Sequence, residues 1–235
     1  MSTGPLYPNQ QLRCVSLEAY FPGRFNAVSN FGAVQDEFST RFPQLFVPNA
    51  QVGEAPTLRP YQLRDEAQKV SLALAINQAT YISFDYPGFT AFSNEAFEVL
   101  DKTLTLLGIS ELSRVVYRYE NEVGISRDGA GILPVNEIIQ LETGSWLRSD
   151  SLMSVDIACE HAWPERSGAT RVHLRAEPPN EPDVLRLSIA ATVAPCGRAE
   201  KLREFGALAH EHAAGMFEAM VTSGFRDFIK QERIS

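Results

Sequence analysis

Two stretches of helical periodicity, each closing a series of period-two runs, constrain this chain more than any other feature. In the first, Phe97, Leu100, Leu104 and Leu107 form one apolar stripe, with Ser93 or Asn94 as the cap and Gly108 as the stop. In the second, Leu202, Phe205, Ala209, Ala213, Met216, Phe217, Met220 and Val221 share one side of a long closing helix. Such stripes are read as core packing, because a helix is stabilised mainly by burying one face. The runs that precede them alternate instead. Val15, Leu17, Ala19 and Phe21 fall on one face of a strand, with Ser16, Glu18 and Tyr20 on the other. After Pro22-Gly23, the residues Phe31, Val34, Phe38 and Phe42 predict a helix that Pro43 ends. Pro48–Pro60 is a turn-rich connection. Val70, Leu72, Leu74 and Ile76 alternate, Asn77-Gln78 is the expected turn, and Thr80, Ile82, Phe84 and Tyr86 alternate again before Pro87-Gly88.

The second half restarts this order. Val115, Tyr117 and Tyr119 mark a strand, and residues 134–141 fit one or two helical turns. Three further strands are expected, at Met153–Cys159, Val172–Leu174 and Leu185–Val193. Each half therefore reads strand, helix, several antiparallel strands, long helix. Hairpins imply an antiparallel sheet with helices on one face, an α+β fold. The order is similar to a duplicated strand–helix–multistrand–helix unit, as in the saddle of TATA-binding protein or a helix-grip fold. Nothing resembles an interdomain linker, so the expectation is one domain over 1–235 with pseudo-halves at about 12–108 and 112–231.

Composition excludes several function classes. With 21 basic and 29 acidic residues the chain carries a net charge of −8, which points away from nucleic acid and anionic lipid. No apolar run approaches the roughly 20 residues that span a bilayer, and the first residues lack the charged and apolar regions of a secretory signal. Three widely spaced cysteines, Cys14, Cys159 and Cys196, suit a reducing cytoplasm, with Cys14 and Cys159 as small buried hydrophobes.

Reactive constellations are sparse. There is no P-loop, no dinucleotide fingerprint and no nucleophile elbow, and Gly129-Ala-Gly131 reads as a turn. His210 and His212 lie two apart, which on a helix separates them by about 200° and keeps both rings from one ion. One is expected to face water and the other to lie near the apolar stripe. No metal and no cofactor are expected. If residues 153–163 and 169–176 form a hairpin, Cys159, Ile157 and Val155 share a face with Val172 and Leu174, and His173 points away with Glu160, Arg171 and Arg175. Cys159 and His173 are then not a nucleophile pair. The carboxylates of Asp65, Glu66, Glu98 and Asp101 read as solvated surface.

The segment 114–122 stands apart. Tyr117, Tyr119 and Asn121 share one face, with Arg118 and Glu120 opposite. A buried amide must find partners, so Asn121 either ends the strand by bonding nearby backbone or anchors a pocket or interface. Arg118 either pairs with a carboxylate on its own sheet face or presents its fork to an anionic ligand. Tyr117, Arg118, Tyr119 and Asn121 are the candidate binding residues; no catalytic residue is assigned.

Tyr117-Arg-Tyr-Glu-Asn121 resembles the RYxN strand of a sporadically distributed prokaryotic family of about 250 residues, one without an established activity. The early strand and helix ending in Phe42-Pro43, the Tyr86-Pro87-Gly88-Phe89 stretch, and the closing helix with His212, Phe217 and Phe225-Arg-Asp-Phe228 are similar to that family as well. Val115-Val116 departs from the glycine-containing approach to the strand that the family often shows. The family's patchy distribution implies accessory genes, such as defence, toxin–antitoxin or specialised biosynthetic cassettes.

The leading expectation is a non-enzymatic cytoplasmic accessory or regulatory protein that binds a protein partner or a second copy of itself. The alternative is a small-molecule-binding protein or enzyme with a pocket between a curved sheet and the C-terminal helix, lined by Tyr117, Tyr119 and Asn121. Nucleic-acid binding on a saddle-shaped sheet is a third and weaker reading.

Overall fold

The computed structural model describes residues 12–47, 60–125, 130–133, 135–140, 153–164, 167–176 and 184–230. The first half comprises β1 (Leu12–Tyr20), the short helices α1 (Phe25–Ser29) and α2 (Phe31–Phe38), the strands β2 (Gln44–Phe46), β3 (Tyr61–Asp65), β4 (Val70–Ala75) and β5 (Gln78–Ser83), and helix α3 (Phe89–Leu106). A two-residue strand β6 (Glu111–Leu112) leads into the second half. That half holds β7 (Arg114–Gly124), α4 (Val135–Ile138), β8 (Val155–Ala162), β9 (Gly168–Ala176), β10 (Val184–Val193), β11 (Gly197–Arg198), α5 (Leu202–Met220) and α6 (Ser223–Lys230). Residues 48–59 of the expected connection and Gly129 of the expected turn lie outside the described residues.

Nine strands form one sheet in the order β2-β3-β4-β5-β1-β7-β10-β9-β8, and all neighbours run antiparallel. Read outward from the β1–β7 seam, both halves follow one rule. The opening strand pairs with the last strand of its own meander, and the meander then steps outward strand by strand. The fold is α+β, and its strand order is that of the duplicated unit expected from the sequence.

Helices α3 and α5 lie on one face. Val15, Leu17 and Ala19 of β1 are fully buried on that side, as are Leu185, Ile189 and Ala191 of β10. Gly206 of α5 sits so close that a Cβ there would meet the Phe97 ring of α3 at 2.6 Å and Leu17 of β1 at 3.3 Å. The missing side chain lets helix, helix and sheet meet at one point. Arg41, just past α2, reaches Glu95 at 2.6 Å and Glu98 at 3.1 Å, fastening α2 to α3.

Several expectations shift. The helix expected from Ser93 or Asn94 begins at Phe89, so Ser93 is buried inside it with no capping role; Gly108, at φ 67°, does end it. In the hairpin, Val70, Leu72 and Leu74 pair with Ser83, Tyr81 and Ala79. The packed row of β5 is therefore Ala79, Tyr81 and Ser83, while Phe84 of the other row is 46% exposed. The turn falls at Ile76-Asn77, one residue earlier than expected. The closing helix breaks at Val221, where the backbone turns extended, and α6 follows.

Candidate functional site

The RYxN strand runs through the middle of the sheet, and its four candidate residues divide between the two faces. Tyr117 is fully buried, Tyr119 nearly so, and both lie under the helix layer. The Tyr119 hydroxyl shares a 2.8 Å hydrogen bond with His210 Nδ1 of α5 and lies 3.2 Å from the Tyr86 hydroxyl. Phe89 stacks on His210 with ring centroids 3.6 Å apart. Burial in this aromatic setting lowers the His210 pKa to about 4, so the ring is neutral near pH 7. Burial likewise raises the Tyr117 and Tyr119 phenols well above their ordinary range. The Tyr117 hydroxyl is buried and makes no hydrogen bond among the described residues.

Asn121 is buried on the same side, and its amide donates to the Leu187 carbonyl of β10 at 3.4 Å. It bonds neighbouring backbone, as one of the two readings held. It does not end the strand, which continues to Gly124. The other histidine of the expected pair also differs from expectation: both rings are half-buried, His210 against Phe89 and Tyr119, and His212 stacked on Trp163 at 3.7 Å. The helical spacing sends them to separate partners.

Arg118 alone of the four points the other way. Its Nε donates to Glu18 Oε1 at 2.8 Å, on the sheet face opposite α3 and α5. Glu18 is 5% exposed and also accepts from the hydroxyls of Tyr20 at 2.7 Å and Ser16 at 3.2 Å. Burial works against the Arg118 charge, but the Glu18 carboxylate outweighs it and holds the guanidinium above its ordinary pKa. Burial and then the Glu18 charge raise Tyr20 to about 12. This ion pair is the cross-strand partnership that the alternation of β1 and β7 allows.

Beside it lies a trough enclosing about 560 Å³. The strand registers explain its shape. One transverse row reads Ser16, Arg118, Ala190, Arg171 and Glu160 across β1, β7, β10, β9 and β8. The neighbouring rows place Ser188 and Thr192 on β10 in the same line as Ala190. Small residues along β10 make the floor, and the long side chains of β7 and β9 make the walls. Arg114 stacks over the Tyr20 ring at 3.8 Å at one end. His173 stands at the other end, held by Asp156 at 2.6 Å. Sequence reasoning placed Glu160, Arg171 and His173 on one face, yet it did not connect them to Arg118; the signal was the small-residue alternation Ser188, Ala190, Thr192.

The expected β8–β9 register holds, with Cys159 opposite Val172 and Glu160 opposite Arg171, so Cys159 and His173 lie on opposite faces. Cys159 is nonetheless exposed, because β8 is an edge strand, and Cys14 is half-buried beside Glu120. Burial first, then the Glu120 charge, raises the Cys14 thiol to about 12. Glu98 and Asp101 pair with Arg41 and Arg203.

Among the described residues no group of three His, Cys, Asp or Glu side chains is placed to hold a metal ion. No described helix is long and apolar enough to cross a membrane. The fold and the trough define an α+β scaffold with one helix-packed face and one polar, sculpted face. No family model matches the chain, and no curated protein does.

Proposed function

We propose that this is a non-enzymatic cytoplasmic accessory protein that binds a protein partner across the sheet face opposite α3 and α5. The carrying observation is the trough: a floor of Ser188, Ala190 and Thr192 walled by arginines, on a face where Arg118 is braced by a buried carboxylate. A fixed arginine with donors to spare is a common element of recognition surfaces. Arg118 is the binding residue of the RYxN strand in this reading, while Tyr117 and Tyr119 pack against His210 of α5 and Asn121 bonds the β10 backbone on the opposite face. The family resemblance through Arg118 and Asn121, with its implied accessory role, belongs to the same proposal.

The alternative pocket between sheet and C-terminal helix is less favoured, since Tyr117, Tyr119 and Asn121 are each under 10% exposed. The test is affinity capture from the native host with the wild-type chain and with Ser188→Trp, which fills the trough from a half-buried position. A defined partner lost by Ser188→Trp is expected, with the variant's circular dichroism unchanged. A partner retained equally by both, a solitary monomer that turns over a metabolite, or a complex abolished only by changes on α5 overturns the proposal.

A further inference from the structure

We infer that the trough is an oxyanion site, in which Arg118 and Arg171 clamp a phosphate monoester over Ala190. The inference rests on the sheet face being the binding face, but not on the partner being a protein. Arg118 and Arg171 occupy one transverse row with Ala190 between them. Two inter-strand spacings put their backbones roughly 10 Å apart. The alanine methyl leaves the space above it open, and both arginines line that space.

Each guanidinium has donors to spare. Arg118 is held through Nε by Glu18, and its terminal nitrogens donate to no described residue. Arg171 is exposed and has no ion-pair or hydrogen-bond partner among the described residues. Glu160 faces it across the β8–β9 pair without closing to an ion pair. Arg114 adds a third guanidinium, stacked over the Tyr20 ring. Arg114, Arg118 and Arg171 line the trough against the one lining carboxylate of Glu160, while Glu18 and Glu120 lie beside Arg118. Forked donors on fixed stems suit the several oxygens of a phosphate, and the hydroxyls of Ser188 and Thr192 line the same floor. A volume of about 560 Å³ exceeds what a bare phosphate fills and leaves room for the group that carries it.

The test is calorimetric titration of the full chain with inorganic phosphate, O-phosphoserine and adenosine 5′-monophosphate, at ionic strength matched with sodium chloride. Saturable binding is expected, weakened about tenfold or more in Arg171→Gln, the loss of one charge-assisted contact. Among the described residues Arg171 makes no ion pair or hydrogen bond, so the variant's Tm should match the wild type. Tighter binding of phosphoserine assigns the phosphate to a protein partner, and tighter binding of the nucleotide assigns it to a free metabolite; either supports the site. Absence of binding by all three, or equal binding by wild type and Arg171→Gln, overturns it. Failure of the partner proposal is a separate result, since Ser188→Trp capture can be negative while phosphate binding persists.

Discussion

At the scale of single residues, the clearest consequence concerns His210. Its folded-state pKa of about 4 lies below the ordinary value of 6.5, so the unfolded chain takes up the proton first. Stability from this group is therefore intact above pH 6.5 and declines as the pH falls from 6.5 toward 4. Half-burial of the ring limits the loss to about 2 kcal/mol at pH 4. Urea denaturation at pH 7, 5.5 and 4.5 should show this slope, and His210→Phe should flatten it. An identical slope in both proteins would show that other groups carry it. The sequence placed His210 on a helix with an apolar stripe. What it could not show was the Tyr119 hydroxyl at 2.8 Å, because the two residues stand 91 positions apart and meet only through the docking of α5 on β7.

At the scale of elements, periodicity read most strands well and misread places where polar and apolar rows compete. Thr80, Ile82, Phe84 and Tyr86 look like the apolar row of β5, yet pairing with Leu72 selects the row of Tyr81. A strand's two faces differ little in local propensity, and only the neighbour's register chooses between them. The start of α3 differs from the expected one for a similar reason: Ser93 is a good cap in isolation, but the helix extends back to Phe89, which packs on His210. Gly206 is the sharpest test of how α5 meets the other elements. In a solvent-exposed helix Gly→Ala gains about 1 kcal/mol of propensity. Here the new methyl would press on the buried ring of Phe97, so Gly206→Ala should instead destabilise by about 1–2 kcal/mol. Chemical denaturation measures this, and Phe97→Leu in the same background should recover part of the loss. Stabilisation by Gly206→Ala would mean that α5 sits farther from the sheet.

At the scale of the whole molecule, the β1–β7 seam joins the halves. Eight registered pairs cross it, from Leu12–Asn121 to Tyr20–Arg114, and Leu17 and Tyr117 at its centre are fully buried. Breaking the seam would expose that centre, so the two halves should unfold together. Both tryptophans, Trp146 and Trp163, belong to the second half, whereas far-ultraviolet circular dichroism reports on all of the chain. Fluorescence and dichroism curves in denaturant should therefore coincide. Two separated transitions would show that the halves are independent.

The sequence by itself determined the class of fold, the duplicated order and the facing of Arg118 against Tyr117, Tyr119 and Asn121. These follow from periodicities of two and 3.6 residues, which are properties of a local backbone. The tertiary structure alone decided that Glu18 braces Arg118, that Arg171 stands across Ala190 from it, and that a trough lies between. Those relations depend on which strands become neighbours and in what register, and burial of the whole sheet settles that rather than any one segment.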